Sequence, residues 1–166
     1  MFKIRTSEKS DLTAVDALLV RVYPKLLKAD YAPSVLVTAL PVISRARPGL
    51  LACGTYYVAE AEDGAVVGAG GWTPDAKQAG LGHIRHVVTD DRQVRQGVGS
   101  SLMLHCFDKA RAAGITRLEC WSTFTAVSFY AAMGFAEIGP MKIRLQPGIS
   151  FPATRMTRLL QKDHLH

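Results

Sequence analysis

The chain has 166 residues, 48% of them apolar, and 20 Lys and Arg against 14 Asp and Glu give it a net charge of +6. That length fits one domain over residues 1–166 with a real core, and no apolar run approaches the roughly 18 residues of a membrane span. The positive residues are dispersed rather than gathered into a tract, so the basic excess does not point to nucleic acid as a partner.

At the N-terminus, Met1-Phe2-Lys3-Ile4-Arg5 lacks an apolar stretch followed by a small-residue cleavage site, which places the expected location in the cytoplasm. Phe2–Thr6 alternates and reads as a first strand. Ser10 or Asp11 can cap a helix whose apolar positions Leu12, Val15, Leu19 and Val22 follow helical spacing, and Pro24 is expected to break or kink it. Ser34, after Pro33, starts a second helical stretch, Val35 to Ile43, limited by Pro41 and Pro48. Thr55–Glu60 is strand-like, Glu62-Asp63-Gly64 signals a hairpin turn, and Ala65–Trp72 returns as the partner strand. A loop from Thr73 to Gly80 leads into a strand at His83–Thr89, followed by a helix at Gly99–Ala113 that closes at Gly114. Ile115–Trp121 is a strand, Ala126–Met133 a short helix ended by Gly134, and Phe135–Ile138 a strand. Ile143–Leu145 and Thr154–Leu160 are expected to pair as the last strands. This order argues a mixed α+β or α/β domain with helices on both faces of one sheet. Cys53, Cys106 and Cys120 share no metal-ligand spacing, and an odd count reads as reduced thiols with no metal.

The most informative stretch runs from strand His83–Thr89 through Arg95-Gln96-Gly97-Val98-Gly99-Ser100 into a helix. A diphosphate needs several backbone N–H donors in a small concavity, and a helix N-terminus adds partial positive charge. Gly97 and Gly99 remove the Cβ atoms that would block the approach, and Arg92 and Arg95 can pair with phosphate. The loop has neither the G-x-G-x-x-G spacing of dinucleotide folds nor the G-K-[ST] ending of a P-loop.

Arg95-Gln96-Gly97-Val98-Gly99-Ser100 after that strand resembles the acyl-CoA signature of the GNAT N-acetyltransferase superfamily. Phe129-Tyr130-Ala131-Ala132-Met133-Gly134-Phe135 resembles the same superfamily's F-Y-x-x-x-G-F element, one helix and one strand further on. The resemblance covers nearly the whole chain. It implies an α/β (mixed α+β) fold with a central, mostly antiparallel sheet, splayed parallel fourth and fifth strands and helices on both faces. It also implies acetyl-CoA as cosubstrate, held by the loop from Arg95 to Ser100, with Val87, Val88 and Thr89 pairing their backbones with the pantetheine arm. Two departures stand out: Val94 occupies the loop position where the family has Gln or Arg, and Thr125 stands where the family has an asparagine beside the cofactor.

Amine attack on a thioester needs a neutral amine and a protonated leaving sulfur. The resemblance makes Tyr130 the candidate acid, with a core aromatic on an amphipathic helix as the alternative. His83 occupies the strand position where many family members carry a glutamate. Its imidazole is the candidate base, with a hydrogen-bonded strand histidine as the alternative. Glu119 is a second candidate base. Strand alternation puts His86 on the opposite face, in a structural role. Trp72, Tyr56, Tyr57, Trp121 and Phe124 either line an acceptor groove or fill the core. The expected activity is direct acetyl transfer to the primary amine of a small molecule. A protein N-terminus or lysine as acceptor, a non-catalytic acyl-CoA-binding module, and a homodimer are left open.

Overall fold

The computed structural model describes residues 1–93 and 96–161. Val15, Leu18, Leu19 and Val22 recur at helical spacing and are all buried, so helix α1 (Leu12–Leu27) turns one stripe inward. Helices α2 (Pro33–Ile43) and α3 (Pro48–Leu51) follow, each with proline in its first turn, where the missing N–H costs nothing. The strands are β1 (Phe2–Thr6), β2 (Tyr56–Ala61), β3 (Val66–Pro74), β4 (Leu81–Thr89), β5 (Arg117–Ser122), β6 (Ala136–Gln146) and β7 (Ile149–Leu159). Helix α4 (Val98–Ala112) joins β4 to β5, and α5 (Val127–Ala132) joins β5 to β6.

The seven strands form one sheet in the order β1-β2-β3-β4-β5-β7-β6, antiparallel throughout except for the parallel pair β4–β5. The expected mixed fold, with helices on both faces, is the one observed. One core joins α1, α2 and α3 to the sheet through Leu19, Leu36, Leu51, Tyr56, Val58 and Phe151. The other joins α4 and α5 to the opposite face through Leu102, Met103, Phe107, Leu118, Tyr130 and Met156.

Four sequence expectations need correction. Pro24 does not end α1, which continues to Leu27. The carbonyl four residues back belongs to exposed Val20, a position where solvent can take the place of the lost N–H donor. Pro41 sits inside α2 on the same terms, opposite exposed Val37. Asp11 does not cap α1 with its side chain. Its carboxylate instead accepts the Glu8 N–H at 2.8 Å and the Arg5 guanidinium at 2.8 and 2.9 Å, which closes the preceding 3-10 turn. The C-terminal part is not a set of short strands. It is one hairpin of two eleven-residue strands around Gly148, with β7 between β5 and β6. Pro140 is tolerated because β6 is the sheet edge.

The fourth correction concerns β4. Gly71 pairs with Arg85 and Ala69 pairs with Val88, so Gly70 faces two residues, His86 and Val87. His86 absorbs the extra residue at a φ of 50°, a left-handed conformation in which histidine is among the better-tolerated side chains. The bulge resets alternation. Ile84 belongs to the α4-side core and Val88 to the α1-side core, faces that an unbroken strand would not separate. His86 therefore does not turn away from the α1 side. Its ring meets Tyr23 of α1 edge-on, and its Nε2 lies 2.8 Å from the carbonyl of Ile43 at the end of α2.

Close approach of β2 and β3 depends on Gly71, where an added Cβ would collide with the Thr55 carbonyl oxygen and come within 2.8 Å of the Tyr56 ring. Because backbone cannot yield as a side-chain tip does, Gly71→Ala is expected to cost about 1–3 kcal/mol and lower Tm by roughly 3–10 °C in a thermal melt. Burial holds the imidazoles of His86 and His105 below histidine's ordinary 6.5. The unfolded chain then binds more protons just below that value, so stability falls as the pH drops through it. Melts between about pH 7.5 and about pH 5 are expected to show a falling Tm, with a shallower slope in His86→Gln; a flat profile would contradict this.

Candidate active site

Strands β4 and β5 pair at only three positions, Leu81 with Arg117, Gly82 with Leu118 and His83 with Glu119. Beyond His83, β4 is held by β3 alone and β5 by β7 alone. The two strands thus present unpaired edges to each other, and backbone groups in that position need a partner from elsewhere. A cavity of about 190 Å³ occupies the gap. Ile84 and Val87 of β4, Cys120 of β5 and Tyr130 of α5 line it, with Tyr23 and Phe151 from the opposite face of the sheet. The cavity therefore passes through the sheet, from the α4–α5 side to the α1–α2 side.

Two phenols fix the bulge that borders it. The Tyr56 hydroxyl donates to the His86 carbonyl at 2.6 Å and the Tyr23 hydroxyl to the Val87 carbonyl at 3.0 Å. Burial pushes both phenols well above their ordinary range, so both remain donors at neutral pH. On the α1–α2 side, Tyr31 backs the lining residue Phe151. Its ring stacks on Phe124 at 4.9 Å and on Phe151 at 4.5 Å. Its hydroxyl accepts the Phe124 N–H at 2.9 Å and donates to the Pro152 carbonyl at 2.7 Å.

The glycine turn lies where the sequence places it. Gly97 caps α4 at a φ of 75°, and no side chain caps the helix. Ser101 bonds back to the Gly97 carbonyl at 3.0 Å. The N–H groups of Val98, Gly99 and Ser100 have no intrahelical acceptor, which is the arrangement that receives an anion. At Gly99 an added Cβ would come within 3.2 Å of the Phe129 ring and 3.4 Å of Thr89 Cγ2. The glycine thus also seats α4 against the F-Y block and the end of β4. Gln96 and Ser100 are exposed, with the Gln96 N–H given to the Gln93 carbonyl. Arg95 lies outside the described residues. Arg92 is engaged by buried Asp90, through its N–H at 2.9 Å and its guanidinium at 3.2 Å. Burial opposes ionisation of Asp90, but the bonds from Arg92 and Arg21 hold it at about 2.

Among the other nominated residues, Val87 borders the cavity, Val88 is buried in the α1-side core and Thr89 packs near Gly99. Thr125 donates to Asp30 at 2.7 Å, tying the segment after β5 to the α1–α2 connection. Tyr130 sits edge-on between Phe129 and Phe135, with ring centroids at 5.2 and 5.5 Å. Burial pushes its phenol well above 10 and the Cys120 thiol to about 12. The cavity therefore offers a protonated hydroxyl and no thiolate nucleophile. His83 stands at the last paired position, its Nε2 2.8 Å from Asp75 Oδ1 and its ring edge-on to Trp121. It is not among the residues lining the cavity. The bond from His83, and then those from the Gln78 and Lys77 N–H groups, hold Asp75 at about 2. Glu119 is buried, which would raise it, but bonds from Arg155 and Trp121 outweigh burial and keep it ionised.

Of the aromatic candidates, Trp121 borders the cavity and Phe124 supports Tyr31, whereas Tyr56, Tyr57 and Trp72 are buried in the cores. Sequence reasoning missed Tyr23, Tyr31, Asp75 and the orientation of His86. Tyr23 continues the Leu19 stripe at i+4, a signal hidden by reading Pro24 as a break.

Comparison with known proteins follows the same lines. Residues 52–137 match the acetyltransferase (GNAT) domain family. No curated protein matches the sequence. Among solved structures, a GCN5-related N-acetyltransferase from Rhodopseudomonas palustris superposes with a TM-score of 0.78 at 20% identity, covering 96% of each chain. The PaiA N-acetyltransferase of Thermoplasma acidophilum, in complex with coenzyme A, gives 0.73 at 13% identity over 96% of this chain and 99% of that one. N-acetylglutamate synthase from Neisseria gonorrhoeae, complexed with coenzyme A and N-acetyl-glutamate, gives 0.65 at 19% identity over 97% of this chain. The chain spans only 35% of that synthase's length. At these identities the superpositions establish the fold, and the family match, over more than half of the residues, establishes kinship. The chain belongs to the GNAT N-acetyltransferase superfamily and is an acyltransferase.

Proposed function

We propose that the protein transfers an acetyl group from acetyl-CoA to the primary amine of a small, apolar molecule by direct attack on the thioester. The observation that carries this reading is the cavity lining. Among the described residues it contains no Asp, Glu, Lys or Arg, and at about 190 Å³ it lies below the roughly 300–1,000 Å³ of common ligand pockets. A carboxylate or a second ammonium on the acceptor would lose hydration there without finding a partner. An alkyl or aryl body would gain from contact with Tyr23, Leu26, Ile43, Trp121 and Phe151.

In this reading the backbone of Val87, Val88 and Thr89 aligns the pantetheine arm as an added strand. The N–H groups of Gly97, Val98, Gly99 and Ser100 face the diphosphate, with Arg95, Gln96 and Thr125 at its margin. Tyr130 supplies the proton that the departing sulfur takes up, a role its retained phenolic proton supports. His83 is the base nominated by the sequence. Because it stands outside the cavity, it would act through water.

Coenzyme A release with benzylamine, hexylamine, glutamate, spermidine and a short peptide tests this. Benzylamine or hexylamine is expected to exceed the charged acceptors by about tenfold or more in kcat/KM. Preference for glutamate, spermidine or the peptide would overturn the acceptor class, and no release with any amine would overturn the activity. Tyr130→Phe is expected to lower kcat by about 10²-fold with coenzyme A affinity unchanged; unaltered turnover would remove Tyr130 from the mechanism.

A further inference from the structure

His86 borders the cavity from the bulge of β4. Its Nε2 lies 2.8 Å from the Ile43 carbonyl oxygen. A carbonyl only accepts, so Nε2 carries the proton and Nδ1 carries the lone pair. Among the described residues nothing donates to Nδ1. The residue holds a φ of 50° while its own carbonyl is fixed by Tyr56 and its ring by Ile43 and Tyr23. A strained conformation set from three sides is one the surroundings over-determine, as happens where a side chain must be aimed.

The other polar groups lining the cavity cannot take a proton at neutral pH. Tyr130 and Cys120 keep theirs, Tyr23 donates to the Val87 carbonyl, and Ser122 donates to the Thr123 carbonyl. Glu119, just behind Trp121, is committed to Arg155. We infer that Nδ1 of His86 is the general base that takes the proton from the acceptor amine. This rests on the acyl-transfer reading above and changes the assignment of the base within it. The groups facing the imidazole are Asp16 and Tyr23 from α1, Arg47 from the α2–α3 connection, and Tyr56 from β2. Burial is the largest influence and keeps the ring neutral, ready to accept.

The step balances. The ammonium gives one proton to Nδ1, forming an imidazolium that bonds the Ile43 carbonyl through Nε2. The neutral amine attacks the thioester carbon, and the C–S bond breaks with its electron pair on sulfur. The second proton shed by nitrogen ends on that sulfur by way of Tyr130, and the imidazolium returns its proton to solvent.

The test uses wild-type protein, His86→Gln, His86→Gly and His83→Gln with acetyl-CoA and whichever of benzylamine and hexylamine turns over. Gln keeps a donor for Ile43 but has no basic nitrogen, and Gly accepts the positive φ. His86→Gln is expected to lose about 10²–10³-fold in kcat/KM near pH 7, at least tenfold more than His83→Gln, with coenzyme A affinity retained. Its rate should climb with pH up to the amine's own pKa, whereas the wild-type rate levels off after a histidine limb. Imidazole should restore His86→Gly. A wild-type rate and pH profile in His86→Gln, a larger loss in His83→Gln, or no rescue of a folded His86→Gly would each overturn the assignment. Should the variants not fold, or no amine turn over, 15N NMR of the wild-type imidazole decides separately: the Nε2–H tautomer supports the assignment, and the Nδ1–H tautomer overturns it.

Discussion

Two strand edges left without partners are the constraint on which the rest of the site depends. The β4–β5 ladder stops after three residue pairs, yet neither strand can swing across to close the gap. β5 is fixed along its full length to β7, and β7 in turn to β6. β4 is bent by an extra residue, with the His86 carbonyl tied to Tyr56 and the Val87 carbonyl to Tyr23. The opening is therefore built into the covalent order of the chain. Inserting β7 between β5 and β6 anchors one bank, and the bulge anchors the other. An unpaired backbone edge is costly when dry, and under the proposed function the amides of a pantetheine arm would supply the missing partners.

The general fold was legible because its signals are local. The glycine turn needs a positive φ at Gly97 and close approach at Gly99, and glycine at those positions follows directly from sterics. The F-Y block was legible for the same reason, since Phe129 is the side chain that fills the space beside Gly99. The bulge was not legible. Nothing in His-Val-Val says that one residue is extra; that is decided by the partner strand, where Gly70 leaves room for Val87. One such slip moves every later side chain to the other face, which is why reading His86 by alternation failed. The long terminal hairpin was hidden differently. β6 lies at the sheet edge with most of its residues open to solvent, so its apolar signal is thin.

Charge is distributed around the cavity rather than in it. Asp75 pairs with His83, and Glu119 with Arg155, outside the lining. These pairs hold strand ends and turns in place without presenting a net charge to the interior. A thioester and an amine meeting there would feel fixed dipoles more than ions, and such dipoles need no reorganisation as the reaction proceeds.

Tyr31 ties β7 to the segment that follows β5 through one oxygen. Its hydroxyl bridges the Pro152 carbonyl in β7 and the Phe124 N–H just past β5, while its ring is sandwiched between Phe124 and Phe151. Moving that segment away from β7 means releasing both bonds and both stacked faces together, because a single rigid ring serves all four. Phe124 begins the turn that leads into the helix carrying Tyr130, so the seating of that helix beside the sheet depends on the same ring.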